Sequence, residues 1–248
     1  MSSLPHKNIL VLIISSNNEP VYKDHKSVWK SYMNSNPSID CYFIEFTGNN
    51  ENDDREYPYL DKPNNTLFFK GEESFPNILN KTLGSYEFFL ADLGGKHYDY
   101  IVRTNLSTVW DFSNLIQFTN SAPTTNLYTG TVGPYYNLTT YKFWFYFIGG
   151  FSILMSNDVC KLLLENRSMA ESFKNMDDID IGYTMYMLKI YPIPIYDVLV
   201  IDSISALEQH IDNIQSKKNM YYRCKNKDSE RKDECECMKR ILSMIGQN

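Results

Sequence analysis

The sequence predicts an α/β fold built on a mostly parallel central sheet. Three observations carry that prediction. The run Asn8-Ile-Leu-Val-Leu-Ile-Ile-Ser-Ser16 is continuously apolar and ends in small polar residues, the pattern of a strand buried on both faces. Similar runs then alternate with segments of helical period. Finally, 248 residues with 43% hydrophobic and 15% aromatic content are enough for one full core, at about 150 residues per domain. We expect residues 1–216 to form that domain, with 217–248 a charged C-terminal helix or tail packed on it.

A helix should follow the first strand, with Val21, Val28, Trp29, Tyr32 and Met33 on one face. Cys41–Phe46 reads as a second strand, residues 48–65 as a polar surface loop, and Leu67–Phe69 as a short strand. Ser74 can cap a helix with Pro76 in its first turn, and Gly94-Gly95 can stop it. Tyr98–Val102 is the next strand. It runs into Arg103-Thr-Asn-Leu-Ser-Thr108 and then a helix near 111–119. Tyr141–Phe147 is strongly aromatic, Gly149-Gly150 breaks it, and Phe151–Met155 resumes a strand. Ser156 then caps a helix through Leu164. Asp177-Asp178 opens another, with Ile181, Met185 and Leu188 inward and Asp180 toward solvent. Ile193–Ile201 is the last β segment, and Lys217–Arg240 reads as a charged periphery.

Composition excludes several classes. A net charge of −6 speaks against a nucleic-acid backbone as main partner, which needs a basic face. No apolar run reaches the roughly 18–20 residues of a membrane span. The N-terminus lacks a basic leader and a cleavage site, and five scattered cysteines suit a reduced, cytoplasmic protein. Cys224, Cys235 and Cys237 do not have a zinc spacing. The histidines share no metal-ligand spacing, and only His210, which precedes the basic tail, is kept as a metal candidate.

Parallel sheets place ligands beyond the C-terminal ends of their strands. Three stretches therefore stand out: Ser15-Ser16, Arg103–Ser107 and Gly149-Gly150. The Arg103–Ser107 edge could hold a diphosphate, with Arg103 as cation and Asn105 and Ser107 as hydrogen-bond partners. The plainer alternative is a turn that caps the next helix. The paired glycines admit close approach of a ligand or a backbone, or simply make a bend. Asp177-Asp178 sits where a helix dipole stabilises carboxylates. One of the two could act as a general base toward a hydroxyl, or both could be solvated caps.

In order, these pieces resemble a nucleotide-sugar glycosyltransferase of the A-type, Rossmann-like fold. The nearest group is the β-1,3-galactosyltransferase and Fringe-like family. The resemblance rests on Ile9–Ser16 followed by Lys23, Lys26 and Trp29, and on Glu73-Ser-Phe-Pro-Asn-Ile-Leu-Asn-Lys-Thr82. It continues through Tyr100–Ser107 with Asn114-Leu115, Gly149-Gly-Phe-Ser-Ile-Leu-Met-Ser156, and Asp177-Asp-Ile-Asp-Ile-Gly182. It covers about residues 8–190. An unanchored chain rich in Asn, Ile, Tyr and Lys is more similar to the enzymes of large DNA viruses, or of some bacteria, than to Golgi enzymes. For a viral chain, host cytoplasm would be the location.

The resemblance implies inverting transfer of a sugar from a UDP- or GDP-linked donor to a glycan or glycoprotein hydroxyl. Asp178, or less readily Asp177, would be the base. Ser15, Ser16, Lys81, Arg103, Thr104, Asn105, Ser107, Gly149 and Gly150 would contact the nucleotide sugar. One departure matters. The family's Asp-x-Asp, which holds Mn²⁺ or Mg²⁺, is matched here by Asn105-Leu106-Ser107. A neutral amide and a hydroxyl are poorer ligands, and each lost charge pair is worth about 4 kcal/mol at an effective dielectric near 20. Three outcomes are open. Protein cations (Arg103, Lys81 or the basic tail) replace the metal; other groups hold it, with Asn105, Ser107 and His210 as candidates; or the chain is a catalytically inactive glycan- or nucleotide-binding module.

Overall fold

In the computed structural model, which describes residues 7–48, 55–74, 77–91, 96–137, 139–195, 198–216, 218–226 and 231–247, the first apolar run is strand β1 (Ile9–Ile14). Its alternating side chains feed two cores. Ile9, Val11 and Ile13 face one cluster, Leu10 and Leu12 the other, and all five are fully buried. Helix α1 (Pro20–Tyr32) follows, then β2 (Ile39–Phe46). Part of the expected 48–65 loop is ordered as β3 (Tyr59–Asp61), which hairpins onto β4 (Thr66–Phe69). Helix α2 (Asn77–Leu90) begins after Ser74, whose carbonyl accepts from Asn77 N–H at 3.0 Å. The expected roles of Pro76 and of Gly94-Gly95 lie outside the described residues.

Strand β5 (Tyr100–Asn105) includes Arg103, Thr104 and Asn105, so these residues are ladder positions rather than a turn. After Leu106-Ser107 comes a strand that the sequence did not suggest, β6 (Thr108–Trp110), and only then α3 (Phe112–Ser121). The α3 cap is Asp111, whose carboxylate accepts from Asn114 N–H at 3.1 Å. The 103–107 stretch is therefore not the helix cap.

The chain continues through β7 (Tyr128–Gly130), β8 (Val132–Tyr136), β9 (Phe143–Ile148) and β10 (Ile153–Ser156). Helices α4 (Asn157–Glu165), α5 (Arg167–Phe173) and α6 (Asp177–Met187) follow. Ser156 is the cap residue of α4 by position, but its hydroxyl donates to Asp158 at 2.5 Å instead of accepting from the helix. The expected last β segment is two pieces, β11 (Ile193–Pro194) and β12 (Leu199–Ile201), in different sheets. Short helices α7 (Ile204–Gln209) and α8 (Ile211–Gln215) lead to β13 (Tyr221–Cys224) and α9 (Glu234–Ile245).

The main sheet has eight strands in the order β11-β7-β10-β5-β1-β2-β4-β3. Four of its seven pairings are parallel, including β5-β1-β2-β4 at its centre. One core cluster lies under α1, α3, α7, α8 and α9. The other lies under α2, α4, α5 and α6. A small sheet, β12-β13-β6, sits beside the main one. The C-terminal segment is thus not only a charged periphery: Tyr221, Tyr222 and Cys224 are buried, and α9 buries Cys237, Met238, Ile241 and Ile245. β8 and β9 form an aromatic hairpin against α6. Among the described residues no helix is long and apolar enough to cross a membrane.

Candidate active site

A cleft of about 560 Å³ opens at the C-terminal ends of β1 and β5, where parallel topology places ligands. Its floor is Ile14-Ser15-Ser16 and Arg103 with Asn105-Leu106-Ser107. Gly149-Gly150-Phe151 and Met176-Asp177-Asp178 line it as well. So do Arg223, Lys225 and Arg231, from β13 and the approach to α9, with Arg223 packed on Phe151. The 103–107 edge and the α6 N-terminus therefore meet in one hollow, although they are about 70 positions apart in the chain.

Arg103 organises the base of the cleft. Its Nη2 donates to Asp177 Oδ2 at 2.6 Å, and its Nη1 donates to Asn105 Oδ1 at 2.7 Å and to the Gly150 carbonyl. Gly150 makes room for this side chain, while a Cβ on Gly149 would meet the Phe151 ring at 2.9 Å. A Cβ on Gly150 would sit 2.6 Å from Arg103 Nη1 and 3.3 Å from Asp178 Cβ. Of the readings open for Gly149-Gly150, close approach holds at Gly150, and what approaches is a neighbouring guanidinium.

Asp177 is only 7% exposed and also receives the Thr82 hydroxyl at 3.4 Å. It is committed to the scaffold. Asp178 differs. It is half-buried and lines the cleft, its Oδ2 accepts from Gly150 N–H at 2.8 Å, and its Oδ1 accepts from Ile179 N–H at 3.0 Å. Each carboxylate oxygen keeps a second lone pair. Burial, and then the neighbouring charge of Asp177, push the Asp178 carboxyl above the usual aspartate range, while Arg103 and the two N–H groups oppose the shift. Asp180 corrects the expectation of a solvent-facing residue. It is 2% exposed, accepts from Asn175 N–H at 2.8 Å, and burial pushes its carboxyl up to about 6.

Lys81 and Thr104 lie behind the cleft wall rather than on it. Lys81 is fully buried, donates to the Ser15 carbonyl at 2.8 Å and pairs with Glu73 at 2.5 Å, so it props the β1 end of the floor. Thr104 donates to the Phe151 carbonyl at 2.7 Å and accepts from Trp110 Nε1 at 2.9 Å. Ser15 and Ser16 line the cleft, and the Ser15 hydroxyl donates to buried Glu45 at 2.8 Å. His210 is remote, at the junction of α7 and α8. Among the described residues no group of three or more His, Cys, Asp or Glu side chains is placed to hold a metal.

From the sequence, Arg223 and Lys225 belong to a basic tail that reads as a solvated face and, as a whole, as one candidate source of cations in place of the metal; Arg231 is not singled out. Arg223 donates to Thr108 Oγ1 at 3.1 Å, and its guanidinium carbon lies 5.2 Å from the Phe151 ring centre. Arg231 is held by two hydrogen bonds to Glu234, at 2.9 and 2.7 Å, and one to Glu19 at 2.6 Å. The signal that could have found them is the alternation of apolar and basic residues in Met220-Tyr-Tyr-Arg-Cys-Lys225, which suits a strand with one wet edge.

No protein-family model and no curated protein matches the chain. Among solved structures, a glycosyltransferase involved in the glycosylation of the major capsid of PBCV-1 is similar at a TM-score of 0.48 and 12% identity, covering 94% of this chain and 99% of that one. The apo form of the glycosyltransferase GlyE from Streptococcus pneumoniae TIGR4 is similar at a TM-score of 0.47 and 10% identity. That match covers 96% of this chain and 62% of GlyE.

Proposed function

We propose that the chain is an inverting glycosyltransferase that takes a UDP- or GDP-linked sugar donor and a glycan or glycoprotein hydroxyl acceptor. One observation carries the reading. Asp178, a carboxylate with raised proton affinity and open lone pairs, lines a strand-end cleft that Arg223, Lys225 and Arg231 also line. A base and a group of cations in one hollow are what displacement of a diphosphate at an anomeric carbon requires. Asp178 takes the proton of the acceptor hydroxyl, and the oxygen forms a bond to the anomeric carbon. The carbon–oxygen bond to the diphosphate breaks, and the nucleoside diphosphate leaves with that electron pair. Attack from the face opposite the leaving group inverts the centre. Asp177 and Arg103 keep the base in place and do not touch the reacting atoms.

The test is release of nucleoside diphosphate from a panel of UDP- and GDP-sugars, with and without acceptors, for the parent chain and Asp178→Asn. A positioned base contributes about 10²–10⁴-fold, so Asp178→Asn should lose that factor in transfer while still binding nucleotide. Full activity in the variant rejects Asp178 as base. The replacement of both acidic positions by Asn105 and Ser107 favours one second reading, a binding module without catalysis. Nucleotide binding with no turnover on any donor or acceptor would support it.

A further inference from the structure

The residues at the position of the family's cation motif do not fit a divalent metal. Asn105 offers one good ligand atom, and that oxygen already accepts from the Arg103 guanidinium at 2.7 Å. Ser107 offers a neutral hydroxyl, and the Asp177 oxygen nearest Arg103 is held at 2.6 Å. A cation placed here would face a fixed guanidinium.

Elsewhere the lining of the same cleft carries charge of the right sign. Among the described residues Arg223 makes no ion pair, although it is half-buried and packed on Phe151. Lys225, one strand position beyond Cys224, makes no ion pair among them either. Burial pushes Arg223 down to about 10. The nearby Glu234 charge works against that shift, while those of Arg103 and Arg231 add to it. Lys225 is also pushed down, by burial and then by repulsion from Arg223 and Arg231. Cations gathered against one another in a cleft, with their proton affinities lowered by burial and mutual repulsion, point to a functional site, and a site of that charge takes an anion. The scaffold holds them there. Glu234 binds both Arg231 and the N–H of Asn226 at 2.7 Å, which pins the chain directly after the cationic pair.

We propose that Arg223 and Lys225, held in place through Arg231 and Glu234, bind the diphosphate of the donor and neutralise it as it leaves, so that no divalent cation is needed. The inference rests on the glycosyl-transfer reading and names what replaces its metal. An arginine fork supplies paired donors to phosphate oxygens, and a lysine adds a compact charge. Together they match the charge that a single divalent ion would bring.

Calorimetry with UDP, GDP and inorganic pyrophosphate, in EDTA and in Mn²⁺, tests this on the full chain. Arg223→Met, Lys225→Met and, as a control for net charge, Lys161→Met on the remote α4 are compared with the parent. The expected result is binding in EDTA, at least tenfold weaker for Arg223→Met and for Lys225→Met and unchanged for Lys161→Met, with affinity falling as salt rises. Arg223 helps to tie β13 to β6. If its variant does not fold, the exposed Lys225 decides the matter alone. Binding that appears only with Mn²⁺, or that ignores both substitutions, overturns the proposal. Donor turnover that requires Mn²⁺ would leave glycosyl transfer standing and remove this site. Metal-free pyrophosphate binding without turnover would keep the site and remove the transfer.

Discussion

Replacing Arg103 by Met separates a scaffold role from a ligand-binding one. Arg103 Nη2 lies 2.6 Å from Asp177 Oδ2, and the two side chains are 3% and 8% exposed. Met keeps much of the apolar stem and removes the charge. At an effective dielectric near 20 and a charge separation of about 4 Å, the pair is worth about 4 kcal/mol. Removing one partner of a buried pair costs about 3–5 kcal/mol. An orphaned carboxylate can escape part of that penalty by taking up a proton, and holding an ordinary aspartate protonated at pH 7 costs about 4 kcal/mol. The expected loss of stability at pH 7 is therefore about 3–4 kcal/mol. Proton uptake also fixes the sign of the pH dependence. The folded variant binds a proton that its unfolded chain does not, so its stability falls as pH rises. Its deficit against the parent should shrink by about 1.4 kcal/mol for each unit of pH between 7 and 5. Urea denaturation followed by tryptophan fluorescence at pH 5, 6 and 7 reads this directly. The double variant Arg103→Met/Asp177→Asn leaves no orphaned charge and should recover at least 1.5 kcal/mol of the loss. A deficit below about 1 kcal/mol, or one that does not change with pH, would mean that Arg103 is not spent on Asp177 and is free for a ligand.

Other expectations follow from the same geometry. The acid limb of transfer activity should lie above the ordinary aspartate range, because Asp178 must be ionised to act and its proton is held more tightly than usual. Asp177→Asn should move that limb to lower pH, since it removes a negative neighbour, and a pH–rate profile that stays put would contradict the assignment. Glu234 is brought down to about 2, with burial opposed by His25, Arg231 and the Asn226 N–H. It should contribute roughly 3 kcal/mol above pH 5, a contribution lost as pH falls through the folded value. Glu234→Gln should therefore destabilise at pH 7 and much less at pH 3, as read from urea midpoints. Gly182→Ala would bring a Cβ within 2.3 Å of Phe147 Cβ where α6 crosses β9. An overpacking loss of about 1–3 kcal/mol in thermal or urea unfolding is expected, and an unchanged midpoint would contradict the close crossing. Gly150→Ala should break the hydrogen bond to Asp178 and lower transfer more than it lowers nucleotide affinity, a split readable as kcat against KM.

Much of the sheet was legible in the sequence because a strand buried on both faces has no polar positions to spare. Ile9–Ile14 could not be anything solvated, and the helices around it carried their apolar stripes on one side. The placement of candidate residues after strand ends followed from the same logic, and it brought Ser15, Asn105, Gly150 and Asp178 to one cleft. What misled was local chemistry read without its partner. Asp180 looked like an exposed helix residue until the 174–176 turn was seen to fold over it. The alternative that the 103–107 stretch merely caps the next helix fell only when β6 was seen to intervene and Asp111 to cap α3.

The sequence by itself determined the alternation of strands and helices, the sheet at their centre and the small polar residues at its edge, because burial of apolar side chains at periods of 2 and 3.6 is a property of nearby positions. Only the tertiary structure decided which charges meet. Arg103 is paired with Asp177, 74 positions away, while Arg223 and Lys225 are delivered to the cleft by the pairing of β13 with β6. Charge pairing depends on distance in space, and the chain order of these residues carries no record of it.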